Sequence, residues 1–112
     1  MTIFQQIAAG EIPASVVFQN DEILAFRDIA PQAPVHILIV PKRLISRVGE
    51  ARDDDAALLG RLLLAARDIA TEQGLDQTGY RLVINNGRDG GEEVPHLHIH
   101  LLGGRRLGWP PG

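Results

Sequence analysis

The chain has 112 residues, 45% of them hydrophobic and 22% charged, the profile of one soluble globular domain with a real core and no room for a second. Its net charge of −3 and pI near 5.7 lack the basic footprint of a nucleic-acid backbone binder but leave small anionic ligands open. The lack of cysteine removes disulfides and Cys-containing zinc sites; with no signal-peptide pattern and no apolar run of membrane-spanning length, the expected location is the cytoplasm, with no membrane partner.

Thr2 and Gln5 have the spacing of a capping box, and Ile3, Phe4 and Ile7 cluster ahead of Gly10, which predicts a short N-terminal helix. After Pro13, the β-branched and aromatic runs Ser15 to Gln19 and Glu22 to Asp28 flank Asn20-Asp21, the pattern of a hairpin. Phe26 and Asp28 then share a strand face. Ile29 to Pro34 carries two prolines and predicts an ordered loop. Val35 to Val40 is apolar on both faces, as in a central strand, and Pro41 closes it; His36 stands at its start.

Asp53-Asp54-Asp55 suits a helix N-terminus, where carboxylates complement the macrodipole and cap free N–H groups. Leu58, Leu59, Leu62, Leu63, Ala66, Ile69 and Ala70 follow at helical spacing as far as Gly74, predicting a long helix with its leucine face on a sheet. Tyr80 to Asn85 reads as a strand. The glycine-rich loop from Asn86 to Gly91 follows, either an anion-binding nest or an ordinary hairpin connection.

Three of the four histidines alternate with aliphatic residues in His96-Leu97-His98-Ile99-His100-Leu101, a period of two that predicts a strand with imidazoles on one face. Two readings compete for such a row. At roughly 3.4 Å per residue, successive imidazoles stand about 7 Å apart and the outer two about 13 Å. Since Zn–N bonds are about 2 Å, two of them can share a metal and all three hardly can. The alternative is nucleophilic catalysis at phosphorus, in which a covalent nucleotidyl-histidine divides one displacement into two. That chemistry needs a ring held in one tautomer and N–H-rich surroundings for phosphate oxygens. His98, flanked on both sides, is the natural nucleophile, with His96 and His100 positioning it or handling oxygens and the leaving-group proton. The tail from Gly103 to Gly112 is too polar for an element of its own, and its Trp109 is expected either to fold back or to dock on a partner.

His96 to Leu102 matches the alternating signature of the histidine triad family. Thr2-Ile3-Phe4, Glu11-Ile12-Pro13-Ala14, Ala25 to Ile29, Pro31 to Pro34, Val40-Pro41-Lys42 and the closing Leu101 to Arg105 with Trp109-Pro110-Pro111-Gly112 resemble its Hint branch. The resemblance spans essentially the whole chain. It implies an α+β fold with a five-stranded antiparallel sheet, one long and one short helix, and a homodimer joining two sheets. It further implies metal-free, cofactor-free hydrolysis of purine nucleoside phosphoramidates, releasing an amine from an AMP or GMP moiety. By matching position, His98 is the expected nucleophile and His36, His96 and His100 its partners. Asp28 is expected to hold the ribose hydroxyls and Asn85 to contact the nucleotide. Phe4, Ile7, Phe26 and Leu38 are expected to form the purine slot, and Gly91, Glu92, Glu93 and Val94 to adjoin the nucleotide. Residues 103–112 with Trp109 are expected to reach toward the dimer partner's site.

One departure stands out. Family members commonly carry Gln followed by Ser or Thr where this chain has Glu92 and Glu93. An ionised carboxylate there only accepts hydrogen bonds and repels phosphate. The expectation is that both glutamates turn to solvent, the alternative being that one is protonated and acts as an acid. Rival functions are a Fhit-like dinucleoside polyphosphate hydrolase sharing the triad, a non-catalytic purine nucleotide-binding protein, and a zinc-binding module.

Overall fold

In the computed structural model, which describes residues 1–112, the leucine-rich segment forms helix α2, Ala56–Glu72. Its buried residues Leu58, Leu62, Ala66, Ile69 and Ala70 make one stripe at the spacing of the helical turn. Gly74, in the left-handed conformation at φ 75°, ends it by donating its N–H to the Thr71 carbonyl at 3.0 Å. The aspartate run forms a 3₁₀ turn, Asp53–Asp55, that feeds α2. Buried Asp55 accepts the Arg52 N–H at 2.8 Å and pairs with Arg43. That backbone bond and the Arg43 side chain hold its carboxyl below the usual range.

The stripe packs on a five-stranded antiparallel sheet in the order β1-β2-β3-β5-β4, with β1 Val16–Gln19, β2 Ile23–Arg27, β3 Val35–Pro41, β4 Tyr80–Val83 and β5 Ile99–Gly103. The β1–β2 hairpin closes as its sequence predicts, the Asn20 side-chain carbonyl accepting the N–H groups of Glu22 and Ile23 at 2.9 and 2.8 Å. Strand β3 is central and buried along nearly its whole length.

Because side chains alternate, the two faces hold different clusters. Toward α2 point Ile23, Ala25, Ile37, Ile39, Leu97, Ile99 and Leu101, the main core. The opposite face gathers Phe4, Leu24, Phe26, Leu38 and Val40 beneath helix α1, Ile3–Ala8. Thr2 caps α1 by the expected capping box with Gln5.

The glycine segment and strand β4 differ from the sequence reading. The glycine-rich segment contains a helical turn, α3 (Gly87–Gly90), where a loop is predicted. Strand β4 stops at Val83, two residues before the predicted end at Asn85. Four residues are too few to show helical periodicity, and the glycines there signal only a turn.

Leu62 is fully buried against the sheet. Leu62→Ala should cost about 2–5 kcal/mol, seen as a lower urea midpoint with an unchanged slope.

Candidate active site

The histidine row enters the sheet later than its alternation predicts. The ladder begins at Ile99, and His96 to His98 approach it outside regular pairing. Pro95 has no N–H to give a ladder. The His96 N–H turns back to the Val94 carbonyl at 2.8 Å, and the Leu97 N–H donates to the Ile45 carbonyl at 2.6 Å. Alternation of faces survives, with Leu97, Ile99 and Leu101 in the main core. The imidazoles nevertheless converge: the His98 and His100 ring centroids are 4.9 Å apart rather than the spacing of an ideal strand.

Hydrogen bonds fix the tautomers. The His96 Nε2–H donates to the Pro41 carbonyl at 2.7 Å, and its Nδ1 accepts the Thr2 hydroxyl at 2.8 Å. The His98 Nδ1–H donates to the His96 carbonyl at 2.7 Å, so the Nε2 of the neutral ring keeps a free lone pair. Phe4 stands edge-on to His98 with centroids 5.1 Å apart, restricting the ring further. His98 is thus a buried imidazole with one nitrogen tied to a carbonyl and the other without a partner in its own chain.

A second chain of bonds runs through His36. The Gln32 backbone N–H donates to His36 Nδ1 at 3.0 Å, placing the hydrogen on Nε2, which donates to His100 Nδ1 at 2.9 Å. His100 in its neutral form therefore presents its Nε2–H as a donor. Burial, reinforced by His98 and His36, pushes His100 down to about 4. Burial also lowers His36 against the opposing pull of Asp28, and lowers His96. Asp28 lies one residue past β2, with Oδ2 3.5 Å from His36 Nε2 and Oδ1 accepting the Ala30 N–H at 2.8 Å.

Asp28, His36 and His100 offer ligand atoms within 4.8 Å of one another. Their chemistry does not suit a resident cation. With Nδ1 accepting from Gln32 and Nε2 protonated, neutral His36 has no lone pair to give, and metal binding would require an imidazolate.

Glu92 corrects the sequence reading on both counts. It does not turn to solvent: its side chain is 10% exposed and takes a two-pronged ion pair from Arg47, Nε to Oε1 at 2.8 Å and Nη2 to Oε2 at 2.9 Å. Nor is it a protonated acid, since the Arg47 hydrogen bonds, then that from the Gly87 N–H, hold it at about 2. Glu93 is exposed, as expected. Several N–H groups of the glycine segment are already spent within the chain. Gly91, at φ 81°, donates to Arg88, Glu92 donates to the Gly87 carbonyl, and the Gly87 N–H is taken by the Glu92 carboxylate.

Phe4, Phe26 and Leu38 come together in one buried cluster, with Ile7 and Val94 half-buried at its margin. Asn85 lies half-buried beyond β4, against Gly90. Trp109 is 83% exposed and contacts its own chain through the Arg81 guanidinium, 6.0 Å from the ring centroid. Sequence reasoning missed Thr2 as the partner of His96, Gln32 as the anchor of His36, and Arg47. For Arg47 there was a signal: a glutamate where relatives carry a neutral residue calls for a nearby cation. Thr2 was legible only as a helix cap.

A family model for the HIT domain matches residues 9–107. The chain belongs to the HIT family. A HIT family hydrolase from Legionella pneumophila Philadelphia 1 is similar over 100% of both chains, with a TM-score of 0.98 and 54% identity. A histidine triad nucleotide-binding protein from Candida albicans superposes with a TM-score of 0.83 at 31% identity, over 98% of this chain and 83% of its own. A "14 kDa zinc-binding protein" of Brassica juncea is 50% identical, over 99% of each sequence.

Two outcomes follow for the imidazoles. Thr2→Val leaves the buried His96 Nδ1 without a donor and removes a helix cap, and should cost about 1–3 kcal/mol in urea unfolding. Lowered histidines also make stability pH-dependent. Above 6.5 these rings are neutral whether the chain is folded or not; as pH falls from 6.5 toward about 4, the unfolded chain binds protons that folded His100 refuses. Urea midpoints should therefore drop across that window as pH falls, and His100→Asn should flatten the drop.

Proposed function

We propose that this chain hydrolyses purine nucleoside phosphoramidates through a nucleotidyl intermediate on His98. The observation that carries the reading is the locked His98 tautomer, with Nδ1–H tied to the His96 carbonyl and Nε2 bare. In the first displacement His98 Nε2 bonds to phosphorus, the phosphorus–nitrogen bond breaks, and the amine leaves with one proton from solvent. In the second, water attacks phosphorus, the bond to His98 breaks, and nucleoside monophosphate departs as the water proton returns to solvent. The Nε2–H of His100 donates a hydrogen bond to phosphate or leaving group; a ring held at about 4 is neutral at physiological pH and acts as a donor rather than a cation.

The remaining roles follow the placement of the groups. One Asp28 oxygen is committed to Ala30, and the other is available to ribose hydroxyls. The cluster of Phe4, Phe26 and Leu38, with Ile7 and Val94 at its edge, offers an apolar wall to the purine. Asn85 and the Gly91–Glu92–Glu93 segment adjoin the nucleotide. Arg47 cancels the charge of Glu92, so the departure from the family pattern need not repel phosphate. We further propose a homodimer, with the tail and Trp109 reaching the partner's site. Strand β4 is an unpaired sheet edge, and α2 leaves Leu63 and Leu64 about half exposed, the features a second copy would cover.

Steady-state hydrolysis of adenosine phosphoramidate tests the reading. His98→Ala should lower kcat/KM by about a thousandfold or more, and acid quenching of the wild type should trap nucleotide on His98. Equal rates for the two proteins would overturn it. Faster turnover of a diadenosine polyphosphate than of the phosphoramidate would point to the dinucleoside polyphosphate hydrolase instead.

A further inference from the structure

From Pro41, at the end of β3, to Gly49 the chain forms a strap bonded along its length to the segment that leads into the histidine row. The Pro41 carbonyl accepts the His96 Nε2–H at 2.7 Å, and the Ile45 carbonyl accepts the Leu97 N–H at 2.6 Å. Arg47 donates to both oxygens of Glu92, and the Gly49 N–H donates to the Asn86 side-chain oxygen at 2.7 Å. Ile45, Arg47 and Gly49 thus meet Leu97, Glu92 and Asn86 in that order, alternate residues of one segment running antiparallel to the other. The strap is itself anchored, because Ile45 is buried in the main core and Arg43 pairs with Asp55 at the start of α2.

The sheet leaves His98 to be placed by other means. Strand β5 begins at Ile99, so no ladder bond fixes His98. Its Nδ1–H is tied to the His96 carbonyl, and His96 and Leu97 are tied to the strap, so the ring takes its position from them. At Pro41, Ile45 and Gly49 the strap bonds through main-chain atoms, which any residue carries. At Arg47 it bonds through a side chain. The Glu92 and Arg47 side chains are 10% and 32% exposed, so little water competes for the contact, and the planar fork fixes direction as well as distance. The Arg47 hydrogen bonds are the largest cause that holds Glu92 at about 2, and His98 adds the least of the pulls in that direction, so the carboxylate lies within electrostatic reach of the His98 ring.

We infer that Arg47 is a positioning residue for nucleotidyl transfer, holding through Glu92 the segment that sets His98 Nε2 in line with phosphorus. The inference rests on the nucleotidyl-transfer reading and deepens it. Arg47 then does more than cancel a charge: it acts through Glu92 on the placement of the ring. The chemical step is unchanged, and the effect falls on the rate of transfer rather than on nucleotide binding.

Single-turnover hydrolysis of adenosine phosphoramidate, acid-quenched at successive times, reads the rate of nucleotide transfer to His98, and steady-state assays give KM. Arg47→Met keeps an apolar stem and removes every donor, but it strands the Glu92 charge. Combining it with Glu92→Gln removes that charge too and spares the fold an unpaired buried carboxylate. In the double variant the transfer rate should fall about tenfold to a hundredfold, as for a misplacement on the order of 1 Å, with KM within about threefold of wild type. Arg47→Lys, which keeps the charge without the fork, should transfer at a rate between those of wild type and Arg47→Met. Transfer at the wild-type rate in the double variant, or a loss confined to KM, overturns the positioning role while leaving the nucleotidyl-transfer reading intact. A wild type that hydrolyses the substrate with no nucleotide trapped on His98 overturns both.

Discussion

The antiparallel pairing of β3 with β5 is the constraint on which the rest of the molecule depends. It sets Leu38 against His100 and Ile37 against Leu101, so one register decides which residues meet α2 and which face the histidines. A slip of one residue would carry His100 into the leucine core and Leu101 onto the histidine face. The aliphatic residues prevent this, because burying Ile37, Ile39, Ile99 and Leu101 against α2 is worth far more than any hydrogen bond on the other side. The geometry of the histidine face is thus a by-product of core packing.

Much of this was legible in the sequence, for physical reasons that differ by element. The long helix and central strand were readable because burial imposes its own period on the chain. The Asn20 turn was readable because its side chain makes the turn. The four histidines were readable as a group because a core has little use for polar rings at alternate positions. What escaped depends on contacts distant in sequence. The convergence of His98 on His100 comes from Pro95 and from the bond between Leu97 and Ile45, neither of which has a periodic signature. The tautomers are set by the Pro41 carbonyl, the Gln32 amide and the Thr2 hydroxyl, which alternation cannot foretell.

Arg47 and Glu92 show how a local rule can mislead. A carboxylate beside a prospective phosphate site looks unfavourable taken alone, and its natural escape is toward water. Here it stays and acquires a guanidinium partner with two parallel hydrogen bonds. It also accepts the first N–H of the turn α3, so the pair ties the glycine segment to the loop after β3. A segment with this many glycines has little stiffness of its own, and the ion pair supplies some from outside.

The Thr2 hydroxyl serves two masters at a single atom. It accepts the Gln5 N–H as a helix cap and donates to His96 Nδ1. Capping alone would be content with serine, threonine, aspartate or asparagine. A carboxylate cannot donate, and an amide must place its donor and acceptor on different atoms. The choice at this position narrows to a hydroxyl. A residue that looks interchangeable by the grammar of helices is thereby bound to the vocabulary of the histidine site.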